Sequence, residues 1–251
     1  MKLSFETDRG AGSKAVLGLI VLQTDETIEP ELTQICAEPG VALYHNRIPM
    51  VPEINAETLM QMKADLPRAA ALFPSSAQFD VIGYGCTSAS TVIGPEGVRD
   101  AIRESLPGVQ VTEPLSALLA GCRALGLERL GFVTPYVPSV SARMQEKLEQ
   151  AGHQIVSFGS FEEGDDRVVA RIAESSIYQS ILTVAGQSKC DGVIVACTNL
   201  RVAHVAAKAE DALGIPVLSS NLALAWHMLS LAGITPNKPA FGRLHSGVQL
   251  R

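Results

Sequence analysis

Aromatic side chains are scarce in this sequence, at 5% of 251 residues with a single tryptophan. Charged residues are scarce as well, at 18%, so the 47% apolar content rests largely on alanine, valine, isoleucine and leucine. That is the palette of helices packed on both faces of buried parallel strands, and the reverse of a disordered composition. Despite a mean hydropathy of +0.20, no apolar run reaches the roughly 18 to 20 residues of a membrane span. Nor is positive charge in excess: 20 Lys and Arg against 26 Asp and Glu leave a net charge of −6. Such a surface offers no basic field to nucleic acid or an anionic membrane, so neither is expected as a partner. Met1 to Lys14 is polar, and Val16 to Leu22 is too short for a secretory signal, which makes the cytoplasm the expected location.

Familiar cofactor signatures are missing too. The five cysteines form no CxxC pair and no zinc-type spacing, and an odd count suits free thiols in a reducing compartment. The histidines (His45, His153, His204, His227, His245) form no HxxxH pair, so no metal site is predicted. Gly83-Tyr84-Gly85 lacks the lysine of a P-loop and the third glycine of a dinucleotide fingerprint. The chain is expected to work without a cofactor.

What is present is alternation and repetition. Short β-rich runs (Leu17–Leu22, Val41–Tyr44, Asp80–Gly85, Val109–Thr112, Arg129–Thr134, Gln154–Phe158, Gly192–Ala196, Pro216–Ser219) alternate with helical stretches, among them Glu57–Phe73, Ser90–Ser105, Leu115–Leu125, Ser139–Ala151, Arg167–Ala185 and Ala203–Leu213. This order predicts βαβ units, an α/β fold with parallel sheets flanked by helices. Two segments align without gaps, Asp80-Val-Ile-Gly-Tyr-Gly-Cys86-Thr-Ser88 and Asp191-Gly-Val-Ile-Val-Ala-Cys197-Thr-Asn199. The repeat predicts two related α/β lobes with a ligand between them. One lobe, residues 1–112 plus 215–251, carries Cys86, and the other, residues 113–214, carries Cys197.

A cysteine between a parallel strand and a helix meets outward-pointing backbone N–H groups. These are expected to lower the thiol pKa and to clamp a substrate carboxylate, aided by the side chains of Thr87, Ser88, Thr198 and Asn199. Two such loops face to face would set one sulfur on each side of a planar carbon, which suits proton exchange by a thiolate and a thiol. The cysteines outside the repeat, Cys36, Cys122 and Cys190, fit core packing. Asp80 and Asp191 precede strands and are expected to cap at the end away from the site, and Trp226 to anchor the core between the lobes.

The two cysteine segments, with Phe132-Val-Thr-Pro-Tyr136 between them, resemble the maleate isomerase and arylmalonate decarboxylase family within the aspartate/glutamate racemase superfamily. The resemblance runs from about Leu17 to Ala232. It implies two pseudo-symmetric Rossmann-like lobes with the active site between them, with Cys86 as nucleophile, Cys197 as proton donor, and Tyr136 as hydrogen-bond donor to a substrate carboxylate. The decarboxylases have a small residue where Cys86 stands, so two thiols favour a cis-trans isomerase or racemase; decarboxylation and a non-catalytic carboxylate-binding module are the alternatives. In the loop after the first strand the isomerases carry Asn where this chain has Asp25. A carboxylate there disfavours a dicarboxylate and favours an amino-acid-derived substrate with an ammonium group. Ectoine-utilisation proteins share this Thr-Asp-Glu stretch, and Glu162 or Glu163 is a second candidate anion near the site. The high apolar content also admits a homo-oligomer.

Overall fold

The computed structural model describes residues 1–8, 10–50 and 56–250. In chain order the first half contains β1 (Ala15–Leu22), α1 (Ile28–Ile35), β2 (Val41–Ile48), α2 (Ala56–Ala71), β3 (Val81–Gly85), α3 (Thr87–Ile93), α4 (Pro95–Arg103) and β4 (Gln110–Thr112). The second half contains α5 (Pro114–Leu125), β5 (Arg129–Thr134), α6 (Pro138–Gln150), β6 (Gln154–Ser160), α7 (Asp166–Val169), α8 (Glu174–Gln187), β7 (Gly192–Val195), α9 (Ala203–Leu213), β8 (Val217–Ser219) and α10 (Ser220–Leu231). The strands form two parallel sheets of identical order, β2-β1-β3-β4 and β6-β5-β7-β8. The repeat seen in sequence is therefore a repeat of architecture.

Each predicted strand is present, and two predicted helices are divided. The stretch Ser90–Ser105 breaks at Gly94, whose φ of 81° is open to glycine at little cost, and Pro95 then starts α4. The stretch Arg167–Ala185 breaks before α8, where Ala173 is extended at φ −65° and ψ 141°. Hydrophobic periodicity runs through both breaks, which is why it did not mark them.

Alternation along β1 sorts its residues between two cores. Leu17, Leu19 and Val21 join a core that continues through α1, α5, β5, β7 and α10, whereas Ile20 and Leu22 pack with Tyr84, Cys86, Val98 and Ile102. The larger core spans both sheets, so the lobes share one interior. Strand β8 pairs with β7 in the second sheet, and the chain crosses back at Ser220, where α10 leaves to pack on α5, α1 and β3. We infer lobes of 1–112 plus 220–251 and of 113–219; the return expected at 215 falls before β8, which the second sheet needs. Gly83 lets α10 approach β3, because a Cβ there would lie 2.5 Å from Met228 Sδ. Buried Trp226 of α10 donates to the Val248 carbonyl at 2.9 Å, pinning the C-terminal segment across the helix.

Asp80 and Asp191 sit away from the thiols and play matching parts. Asp80 accepts the Val16 N–H at 2.8 Å and Asp191 the Arg129 N–H at 2.9 Å, each tying the start of the neighbouring strand. Cys36, Cys122 and Cys190 are buried packing thiols. No helix among the described residues is long and apolar enough to cross a membrane.

Candidate active site

Strand β3 ends on Gly85, and the chain passes at once into α3 with Cys86 as its N-cap. The Cys86 sulfur accepts the Ala89 N–H at 3.4 Å and lies 3.6 Å from Ser88 Oγ. After β7 the path differs. Cys197 opens a turn rather than a helix, its sulfur accepts the Asn199 N–H at 3.3 Å, and α9 begins only at Ala203. The loops abut: Thr198 Oγ1 donates to the Gly85 carbonyl at 3.5 Å, directly before Cys86. Both thiols are buried, at 3% and 2% exposure.

Tyr136, just after β5, completes the centre. Its hydroxyl lies within electrostatic reach of both thiols and favours the charged form of Cys197. Asp25, in the loop after β1, is also buried beside both thiols. Its Oδ1 accepts the N–H groups of Thr27 and Ile28, both at 2.8 Å, and so caps α1. Its Oδ2 completes no hydrogen bond of ordinary geometry, although the nearby Thr198 hydroxyl favours the charged form. The structure thus gathers Cys86, Cys197, Tyr136, Asp25, Ser88 and Thr198 at one place.

Two of the expected carboxylate-holding side chains are engaged otherwise. Thr87 Oγ1 donates to Ser220 Oγ at 2.7 Å. The Asn199 amide is engaged on both sides: Nδ2 donates to the Asp166 carbonyl of its own lobe at 2.9 Å, and Oδ1 accepts the Glu26 N–H of the other lobe at 2.9 Å. These residues shape the site, and what they can offer a ligand is backbone.

Sequence reasoning missed Asp166. It looked to Glu162 and Glu163, but Glu162 is exposed, and Glu163 turns back to accept the Asp165 N–H at 2.8 Å. The carboxylate that bears on the thiols from this loop is buried Asp166, whose Oδ2 accepts the Thr24 hydroxyl at 2.6 Å. The one signal was its place in an acidic turn, which does not distinguish it from its neighbours. Nearby cations are committed elsewhere: Arg47 to the Leu22, Gln23 and Asp25 carbonyls and to Glu29, and Arg171 to Glu26 at 2.7 Å.

The electrostatics overturn the expectation of a lowered thiol pKa. Burial pushes Cys86 up to about 11, outweighing the Ala89 N–H and Ser88 hydroxyl, and Asp166 and Asp25 add to the rise. Burial, then Asp166, raises Cys197 well above its usual range against the Tyr136 hydroxyl and the Asn199 N–H. In a dry site flanked by carboxylates, desolvation outweighs a few N–H dipoles. Burial likewise raises Asp25 to about 6.

Comparison with known proteins places this arrangement. The family model for arylmalonate decarboxylase matches residues 66–245. The maleate isomerase of Nocardia farcinica is 28% identical over 238 residues, covering 91% of this chain and 94% of that protein. The arylmalonate decarboxylase of Bordetella bronchiseptica is 30% identical over 151 residues, 57% of this chain and 60% of that one. Among solved structures, a cysteine-to-serine variant of the Nocardia cis-trans isomerase, with a covalently bound succinylcysteine intermediate, superposes with a TM-score of 0.81. It is 27% identical, over 92% of this chain and 98% of that one. With a family model matched over most of its length and the same two-sheet fold, this chain belongs to the arylmalonate decarboxylase family.

Proposed function

We propose that this chain is a cofactor-independent isomerase of a small carboxylate, with Cys86 and Cys197 acting on one carbon framework from opposite sides. The observation that carries this reading is the pair of buried thiols on abutting loops, with the Tyr136 hydroxyl within electrostatic reach of both. The reaction needs one thiolate and one thiol. In cis-trans isomerisation the Cys86 thiolate adds to one carbon of the double bond, and Cys197 protonates the other. Rotation about the resulting single bond and reversal of both steps restore the enzyme. In racemisation one thiolate removes the proton next to the carboxylate, and the other thiol returns one to the opposite face. Tyr136 and the loop N–H groups stabilise the charge that develops on the carboxylate. The covalent succinylcysteine of the Nocardia enzyme supports the addition route. Decarboxylation, the activity for which the family model is named, is the alternative reading and leaves Cys86 without a role.

For the substrate itself, the two buried carboxylates favour an amino-acid-derived molecule, whose ammonium group would pair with Asp25. Five free cysteines fit work in the reducing cytoplasm. Incubation in D2O with maleate and a panel of amino acids tests the reading. Deuterium should enter the substrate at the reacting carbon, and Cys86→Ala and Cys197→Ala should each abolish its entry. Full turnover in both variants would overturn the two-thiol mechanism, and maleate turnover without any amino-acid activity would overturn the ammonium reading.

A further inference from the structure

The loop that carries Cys197 is held at both ends by a carboxylate from the other lobe. Glu31 lies on α1 and is 6% exposed. Its Oε1 accepts the N–H of Ala203 at 3.0 Å, the first residue of α9. That helix has no side-chain cap of its own, since Val202 stands at its N-cap. Glu31 Oε2 accepts Asn221 Nδ2 at 2.7 Å, and the same Nδ2 donates to the Thr198 carbonyl at 2.8 Å. Asn221 is fully buried and its Oδ1 has no partner among the described residues, so these two bonds fix its amide.

We propose that Glu31 is a positioning residue for Cys197, setting through Asn221 and Ala203 the height of the Cys197–Ala203 loop against the Cys86 loop. The connection is short and continuous. Asp25 caps the start of α1, and Glu31 leaves the same helix to grip the second thiol's loop, so one helix indexes both to the site. When ionised, a carboxylate accepts two donors without offering a proton to either, and burial raises that of Glu31 to about 7, so the full grip belongs to the higher-pH form. Glutamine can satisfy only one and turns its own N–H₂ on the other.

The proposal rests on the two-thiol reading, yet its readout is thiol reactivity, so a missing substrate would leave it testable. Glu31→Gln and Asn221→Ala are alkylated with iodoacetamide, and each thiol is followed by peptide mass spectrometry. Labelling of Cys197 should change at least about fivefold while Cys86 stays within about twofold, since reactivity follows the local environment of each sulfur. Where a substrate is turned over, kcat should fall about 10- to 100-fold per folded protein, as a small misplacement of a reacting group does. Equal changes at both thiols, or none at either, would overturn the proposal by reducing Glu31 to packing. The wild-type chain provides an arm that needs no variant. The Ala203 amide should be strongly protected in hydrogen exchange, and exchange at the rate of an exposed loop would overturn the tie directly.

Discussion

At the scale of single residues, burial governs the chemistry. With Cys86 raised to about 11, the thiolate fraction near neutrality is small and grows about tenfold per pH unit. Alkylation of Cys86 in a Cys197→Ala background should follow that slope from pH 7 to 9. A plateau beginning near pH 7 would mean that the loop N–H groups had prevailed after all. Asp25 behaves in the same sense. Its carboxyl rises from 3.8 to about 6, so the folded chain binds the proton more tightly than the unfolded chain. The stability linked to that proton is fully present below about 3.8 and is lost as pH rises through about 6. Asp25→Asn keeps an acceptor for the Thr27 and Ile28 N–H groups and removes the buried charge. It should raise the melting temperature at pH 8 and flatten its fall between pH 5 and 7, and an equal or lower value at pH 8 would contradict this account. The acidic loop shows how little of this was legible beforehand: Asp165 and Asp166 are adjacent, yet only Asp166 is buried and bears electrostatically on the thiols.

At the scale of elements, the strands were readable because each contains a short β-rich run set between stretches of helical length. The helix breaks were not, because the apolar period continues through them. Helix α10 illustrates the limit. It is almost wholly buried, so it carries little amphipathic signal, and nothing local says that it leaves the sheet its preceding strand joins. Its packing can be measured. Trp226→Ala removes a fully buried side chain at the junction of α10 and the C-terminal segment and should cost about 3 to 5 kcal/mol in denaturant unfolding. A loss below about 1 kcal/mol would place the tryptophan outside the cooperative core.

At the scale of the whole molecule, the two sheets share one hydrophobic core, and polar ties lace the lobes around the thiols. Unfolding should therefore be a single cooperative transition. Far-ultraviolet circular dichroism and the fluorescence of Trp226 should coincide in denaturant, and two separated transitions would show lobes that fold independently. The exposed Glu26–Arg171 pair lies at the rim of the same seam, and Arg171→Ala should leave the denaturation midpoint nearly unchanged, because solvent screens an exposed pair. The sequence by itself determined the parallel α/β architecture, the duplication and the two Cys-Thr segments, because strand burial, helix length and an ungapped repeat are local patterns. Only the tertiary structure decided which carboxylates bear on the thiols, that burial raises the pKa of both thiols, and that Asn199 ties its loop to Glu26 of the other lobe while Thr87 bonds Ser220. Each of these depends on which groups lose water when distant segments meet, and desolvation has no counterpart in residue spacing.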